Sequence, residues 1–196
     1  QAICHVVRAF VNNDIVRADN KIEEDILKQA KDDIDIINLE LQLADDETKA
    51  KIEAKRKKDP NDELIPFLTD KPVIYMFNVD ENGLTDEDLK SKLREMVAPN
   101  EAIFVNAKLE EEMSDMNRTE RKEFLESYGV KDDALGELIK AAYSTLGLQS
   151  FLTAGKKEVR AWTIKKGATA PEAAGTIHTD FERGFIAAEV DRKSVV

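Results

Sequence analysis

Three short, almost entirely apolar segments are spaced along the chain. They are AICHVVRAF at 2–10, VIYMF at 73–77 and AIFV at 102–105. Runs of this length, rich in β-branched and aromatic residues, are typical of strands buried on both faces of a parallel sheet. Between them, apolar residues recur every three to four positions, which is the period of a helix with one buried face. The pattern predicts an α/β fold in which helices cover a parallel sheet.

The helical pattern begins near Asp33 and continues into a strongly charged sequence that ends at Asp59-Pro60. We expect this stretch to be a solvated helical arm closed by a loop, and Lys55–Lys58 to be part of its solvated surface. Two later helices are predicted at 118–128 and 133–146, because a glycine follows each of them.

After Gly147 the predicted elements change from helices to mainly strands. The stretches 151–153 and 159–164 predict two paired strands around the turn Ala-Gly-Lys-Lys, and 185–190 predicts another strand. The last part of the chain is therefore predicted to be a separate unit that is richer in strands.

Composition limits the partners and the location. The 196 residues include 29 Lys and Arg against 40 Asp and Glu, a net charge of −11. Such a surface repels nucleic acid, so we expect no DNA partner, and an RNA contact requires a local basic patch. No apolar run approaches the roughly 18 residues of a membrane span. The sequence contains no recognisable signal peptide, and Cys4 has no second cysteine to pair with, which favours a cytoplasmic location.

The second apolar segment is followed directly by Asn78-Val79-Asp80-Glu81. Ligands of open α/β sheets bind at the carboxyl ends of the strands. An amide such as Asn78 can both donate to and accept from a purine base, and Val79 can pack on the base and offer its N–H. Ras-like GTPases read guanine at this place with Asn-Lys-x-Asp. Because Val79 and Glu81 replace the Lys and the Asp, strict selection of guanine is not expected, and adenine becomes a candidate.

A four-residue pattern has an ordinary alternative, which is a strand end followed by a turn at Asn82-Gly83. A second segment favours the base site. The third apolar segment is followed by Asn106-Ala107-Lys108, where GTPase folds place a Ser-Ala-Lys turn beside the base. The order of strand, Asn-x-x-acid, helix, strand and Ala-Lys is more specific than either piece alone.

Several longer segments carry a resemblance to one family. They are ICHVVRAF (3–10), DIDIINLELQLAD (33–45), KPVIYMFNVDE (71–81), AKLEEEM (107–113) and, at greatest length, SFLTAGKKEVRAWTIKKGATAPEAAGTIHTDFERGFIAAEV (150–190). In these segments the chain resembles the YchF-type Obg-like ATPases, which are P-loop NTPases with a C-terminal TGS domain, a β-grasp module.

The resemblance implies binding and hydrolysis of ATP or GTP with Mg²⁺, and association with the ribosome in the cytoplasm. By the same resemblance, the base site comprises Asn78, Val79, Glu81, Ala107 and Lys108. It further implies a partial nucleotide-binding α/β domain at 1–44 and 70–148, a shortened helical arm at 45–69, and a truncated TGS domain at 149–196.

Phosphoryl transfer requires a glycine-rich phosphate loop, and the sequence has no Gly-x-x-x-x-Gly-Lys-[Ser/Thr]. In the family this loop and both switch segments precede the segment 3–10. We therefore expect the chain to be a partial copy of its parent. The hydrolase activity and the Mg²⁺ ligands are expected to belong to the parent, with no catalytic residue in this chain.

A basic cluster in the last unit is a candidate RNA surface. Its residues are Lys156, Lys157, Arg160, Lys165 and Lys166, together with Trp162. Arg160 and Trp162 alternate along a predicted strand and so share a face, where they can contact a phosphate and stack on a base. The alternative is a solvated hairpin whose Trp belongs to the core. A non-enzymatic module that binds RNA or the ribosome is therefore the alternative function.

The histidines and the cysteine predict no zinc site, because they are dispersed along the chain. His5 lies in a predicted buried strand and is expected to be a core residue. His178 and Asp180 are expected to fix a turn or to cap a short helix.

Overall fold

The structure is a computed structural model that describes residues 1–12, 25–56, 67–130, 133–155 and 158–190. The chain divides into two units, Gln1–Thr145 and Leu146–Val196.

The first unit is built on a three-stranded sheet. Its strands are β1 (Ile3–Ala9), β2 (Val73–Val79) and β3 (Glu101–Val105), in the order β1-β2-β3 and all parallel. The predicted parallel α/β sheet is therefore confirmed. The strand β2 is two residues longer than its apolar run, and the register pairs Asn78 with Arg8 on one side and with Val105 on the other.

Five helices accompany this sheet in the described ranges. They are α1 (Ile26–Arg56), α2 (Glu87–Val97), α3 (Ala107–Glu112), α4 (Arg118–Ser127) and α5 (Ala134–Thr145). The helix α1 begins seven residues before the predicted start, and the loop expected at 59–60 lies outside the described residues. The short helix α3 has too few residues to show a period, and the sequence pattern did not predict it.

The core lies between one face of the sheet and the helices α1 and α2. Phe77 is fully buried there, with its ring 5.7 Å from that of Phe104, and the same cluster includes Ile34 of α1 and Leu93 of α2. On the other face, α5 packs on β2 and β3 through a smaller apolar cluster. The middle strand β2 is therefore buried on both faces, as its continuous apolar sequence requires.

Glycines end the last two helices of this unit in the way that the sequence predicts. Gly129 follows the last turn of α4 with φ +74°, and Gly147 follows α5 with φ +60°. Residues with a side chain rarely adopt such positive φ angles, so glycine is the residue that permits each chain reversal.

The second unit opens with a hairpin of β4 (Leu148–Ala154) and β5 (Val159–Lys165), which pair antiparallel. Two short helices follow, α6 (Ala170–Ile177) and α7 (Thr179–Arg183). The predicted hairpin is confirmed. The strand predicted at 185–190 is wrong, because these residues pair with no described strand and the Ile186 side chain is 94% exposed. A strand requires a partner for its backbone groups, and apolar sequence alone does not supply one.

None of the helices in the described ranges is long and apolar enough to cross a membrane.

Candidate functional site

One hydrogen bond joins the two segments that the sequence singles out. The Oδ1 atom of Asn78 accepts from the backbone N–H of Ala107 at 3.1 Å, although the residues are 29 positions apart in the chain. The bond forms because β2 and β3 are parallel neighbours, so both end at the same edge of the sheet. The side chain of Asn78 thereby fixes the start of the Ala107-Lys108 turn against the end of β2.

The loop after β2 is held by a tight turn. The carboxylate of Asp80 accepts from the Gly83 N–H at 2.8 Å, and the Leu84 N–H donates to the Asp80 carbonyl at 3.3 Å. A Cβ atom on Gly83 would lie only 2.8 Å from the Cβ of Val79. The glycine therefore permits the close approach of the turn to the strand, and Glu81 is left exposed at the tip.

A pocket of about 340 Å³ opens at this edge, within the usual volume range of ligand sites. It is lined by Phe10, Asn78, Val79, Asp80, Glu81, Asn82, Asn106 and Lys108. Four of the five residues proposed for the base site therefore line one pocket. The fifth, Ala107, acts through the hydrogen bond to Asn78.

Phe10 lines the pocket from outside the two loops that the sequence singled out. It follows directly after β1, whose last residue, Ala9, pairs with Val79. An apolar residue at the end of an apolar run looks like strand interior, so the sequence carried no separate signal for it. Its half-buried ring supplies an aromatic surface beside the polar loops.

Val79 does not have the role that the sequence suggested. It lies within β2, on the same face as Phe77, is only 2% exposed and belongs to the core cluster. The expectation that its side chain packs on a base is therefore wrong, because strand alternation turns that side chain into the core. Only a small accessible part of the residue borders the pocket.

Two charges flank the pocket mouth. The Nζ of Lys108 lies 3.9 Å from Glu81 Oε1 and 4.0 Å from Glu112 Oε1. All three side chains are at least 45% exposed, so these pairs contribute little to stability. Because water competes with each pair, Glu81 and Lys108 can exchange these partners for a ligand at small cost.

Asn106 explains why an amide stands where GTPase folds have a serine. Its Oδ1 accepts from the Leu109 N–H at 3.0 Å and caps the start of α3. Both residue types are favoured at this helix position, because each offers a short oxygen acceptor. The substitution therefore preserves the turn that carries Ala107 and Lys108.

The histidines have structural positions, as expected. His5 is buried beside the Tyr75 ring, and burial lowers the pKa of its imidazole although Asp33 opposes the shift. The Nδ1 of His178 accepts from the Asp180 N–H at 3.2 Å and caps α7. Within the described residues, no group of His, Cys, Asp or Glu side chains could hold a metal ion.

The basic cluster of the second unit is only partly assembled. The Arg160 guanidinium lies 4.2 Å from the centre of the Trp162 ring, and the Trp162 Nε1 donates to Thr153 Oγ1 at 2.9 Å. Lys165 lies on the opposite face of β5, because it is an odd number of positions from Trp162. Lys165 is therefore separated from Arg160 and Trp162, and RNA contact by the cluster stays a prediction. Lys156 and Lys157 lie outside the described residues, and Lys166 follows the strand in an exposed position.

Comparison with known proteins shows which proteins the chain is similar to. A family model described as "YchF-GTPase_C: Protein of unknown function (DUF933)" matches residues 148–194. Proteins described as "Ribosome-binding ATPase YchF" are 39% identical over 231 residues in Bacillus subtilis (strain 168) and 37% identical over 229 residues in Escherichia coli O157:H7. Each alignment covers 96% of this chain. The chain is therefore similar to YchF proteins along nearly its whole length.

The chain spans 62% and 61% of the length of these two YchF relatives. The alignments are longer than the 196 residues of the chain, so the relatives contain residues without a counterpart within the matched region. The "Structure of the Schizosaccharomyces pombe YchF GTPase" matches with a TM-score of 0.69 and 28% identity, covering 94% of this chain and 60% of that one. This likeness supports the same fold class, a partial nucleotide-binding α/β sheet followed by a C-terminal unit.

Proposed function

We propose that this chain supplies the purine-base site of a nucleotide-hydrolysing protein that associates with the ribosome. The observation that supports the proposal is the hydrogen bond from the Ala107 N–H to Asn78, because it joins the two candidate segments beside one pocket. The names of the YchF relatives, which are ribosome-binding ATPases and a GTPase, support the wider activity.

The residues of the pocket fit a purine. The Oδ1 of Asn78 is occupied by Ala107, which leaves its Nδ2–H group to donate to an acceptor on the base. The carboxylate of Glu81 can accept from an exocyclic amine, and the Phe10 ring and the Lys108 stem offer apolar surface to the base. Glu81 is one methylene longer than the Asp of guanine-specific sites, so we propose ATP as the preferred nucleotide and GTP as the competitor.

The nucleotide, with Mg²⁺, supplies the phosphoryl bond that hydrolysis breaks. The residues of this chain bind and orient the base, and the catalytic groups of the hydrolase belong to the parent protein. We propose the cytoplasm as the location of that protein, since ribosomes are its proposed partner.

A titration of the full chain with ATP tests the base site. We expect the amide resonances of Ala107 and Lys108 to shift with ATP, and the shifts to disappear in Asn78→Ala. Lys165→Ala, in the second unit, is the control and should titrate as the unmodified chain does. Equal ATP-dependent shifts of these resonances in the two variants would refute the base site.

A second candidate function is RNA contact through the hairpin of the second unit. The observation that favours it is the Arg160 guanidinium lying over the Trp162 ring, an arrangement that offers both a cation and a stacking surface. Co-sedimentation of the full chain with ribosomes should weaken in Arg160→Gln and at high salt. Unchanged co-sedimentation in that variant would exclude the hairpin.

A further inference from the structure

Another cavity, of about 560 Å³, lies in the first unit between α4 and α5. It is defined here as the α4–α5 groove. Its charged lining residues are Arg118, Arg121, Lys122, Lys140 and Asp133. The lining carries four cations and one carboxylate in a chain whose net charge is −11, although Glu126 pairs with Lys122 and Glu110 interacts with Arg121. We propose that this groove binds the phosphate groups of an RNA strand.

Two of the cations are available to a ligand. Arg118 begins α4 and Lys140 lies in the middle of α5, and both side chains are exposed. Within the described ranges, neither takes part in an ion pair. They therefore project positive charge from both walls of the groove, which suits a ligand that carries more than one negative group.

A third cation is held in place by the protein itself. The Nε of Arg121 donates to the Met113 carbonyl at 3.0 Å, and one of its terminal nitrogens lies 3.9 Å from Asp133. A guanidinium positioned in this way loses little further freedom when it binds a phosphate. Lys122 pairs with Glu126 at 3.8 Å, but both side chains are largely exposed, so that pair is weak and exchangeable.

Asp133, the carboxylate that lines the groove, is already engaged. The Oδ1 of Asp133 accepts from the Leu135 N–H at 3.0 Å at the start of α5, and its Oδ2 faces Arg121. Negative charge at a helix start is stabilised by the helix dipole. Asp133 therefore offsets the positive end of the α5 dipole and part of the charge of Arg121. The charges of Arg118 and Lys140 are left uncompensated.

The lining favours phosphate contacts over base contacts. No aromatic side chain lines the groove as the structure describes it, so it has no stacking platform for a base. Guanidinium and ammonium groups recognise phosphates without reading the sequence. The α4–α5 groove is therefore an RNA-backbone site, distinct from the purine pocket at the carboxyl edge of the sheet, and its assignment to RNA rests on the proposed ribosome association.

The test measures binding of a fluorescently labelled single-stranded RNA to the full chain at increasing salt. The double variant Arg118→Gln with Lys140→Gln removes the two free cations of the groove. The double variant Lys51→Gln with Lys92→Gln removes the same charge from exposed positions on α1 and α2. Loss of two phosphate contacts should weaken binding on the order of tenfold and flatten the slope of log K against log salt by about 1.4. The control should keep the slope of the unmodified chain.

Each remaining outcome overturns the inference. Equal losses in the two double variants would mean that only net charge matters. Loss in Arg160→Gln but not in the groove variant would place RNA on the hairpin. Competition by oligoglutamate as strong as by unlabelled RNA would make the groove an acidic-peptide site. If the groove variant co-sediments with ribosomes and its slope of log K against log salt for RNA is unchanged, the inference fails while the ribosome association stands. If the unmodified chain does not co-sediment with ribosomes, the association itself is refuted.

Discussion

The side-chain oxygen of Asn78 and the backbone N–H of Ala107 form a 3.1 Å hydrogen bond that closes the edge of the sheet between β2 and β3. We propose two tasks for this one amide. Its oxygen stabilises the Ala107-Lys108 turn, and its nitrogen is left to donate to a ligand. The two tasks can be separated experimentally.

Asn78→Asp keeps an oxygen for the Ala107 N–H but removes the Nδ2–H donor. We expect the free energy of unfolding to stay near that of the unmodified chain, and ATP binding to weaken by about fivefold, the effect of one lost hydrogen bond of about 1 kcal/mol. Asn78→Ala loses both atoms and should lower stability as well. Urea unfolding and ATP titration give the two readouts. ATP affinity that is unchanged in Asn78→Asp would rule out the donor role.

Phe10→Ala should weaken binding of adenine and guanine nucleotides alike, since ring contact does not depend on the polar edge of the base. Removing an aromatic surface beside a base costs about 1–3 kcal/mol, or roughly 5-fold to 150-fold in affinity. Phe10→Tyr is the matched control and should retain most of the affinity. The dissociation constants for ATP and GTP provide the measurement. A loss confined to one of the two nucleotides would contradict a stacking role.

Asn78 and Phe10 show which parts of the candidate site the sequence could predict and which it could not. The parallel sheet, the hairpin and the neighbourhood of Asn78 and Ala107 were predictable, because buried parallel strands carry continuous apolar runs and place their ends at one edge. Phe10 was not predictable, since nothing in an apolar run shows which residue faces a cavity. The direction of the Val79 side chain depended on where β2 ends, and strand ends are the least certain feature of a sequence pattern.

The charged surfaces were the least predictable part. Lys165 and Trp162 are close in sequence, but strand alternation separates them onto opposite faces. Arg118 and Lys140 are far apart in sequence, yet the fold brings both to the lining of one groove. Whether charged residues cluster in space depends on tertiary packing. The number of lysines close together in the sequence does not predict it.

Glu81→Asp tests the proposed nucleotide preference. Shortening this side chain restores the carboxylate length found in guanine-specific sites, so we expect the ratio of GTP affinity to ATP affinity to rise. Glu112→Asp is the control, because Glu112 is the other carboxylate beside Lys108 and lies outside the pocket lining. Competition between the two nucleotides for each variant measures the ratio. An unchanged ratio in Glu81→Asp would show that this carboxylate does not read the base.

Gly83→Ala tests the turn that positions Glu81. The new Cβ would lie 2.8 Å from the Val79 Cβ, so the strand and the turn must separate. We expect a loss of about 1–3 kcal/mol in the free energy of unfolding, together with weaker ATP binding. Gly136→Ala is the matched control, because no atom lies within 4 Å of its new Cβ in α5. That variant should be stabilised by up to about 1 kcal/mol. Equal urea midpoints for the two variants would refute the close contact.

Asp45 links α1 to the segment that leads into β2. Its side chain is only 3% exposed, and its two oxygens accept from the N–H groups of Leu68 at 2.7 Å and Thr69 at 2.8 Å. Burial favours the protonated form of this carboxyl, but the two amide donors, the Thr69 side chain and Lys49 together outweigh burial and hold its pKa below the ordinary value. The ionised carboxylate therefore stabilises the folded chain.

Asp45→Asn should lower the urea midpoint at neutral pH, since an amide nitrogen replaces one of the two acceptors. A carboxyl with a lowered folded-state pKa contributes stability above its unfolded pKa, near 3.9, and loses it as the pH falls through the folded value. The difference between the unmodified chain and Asp45→Asn should therefore shrink in acid. Asp46→Asn removes the same charge from an exposed pair with Lys49 and should have little effect at any pH. A difference that persists below the folded pKa would mean that the ionised carboxylate does not hold the Leu68-Thr69 segment.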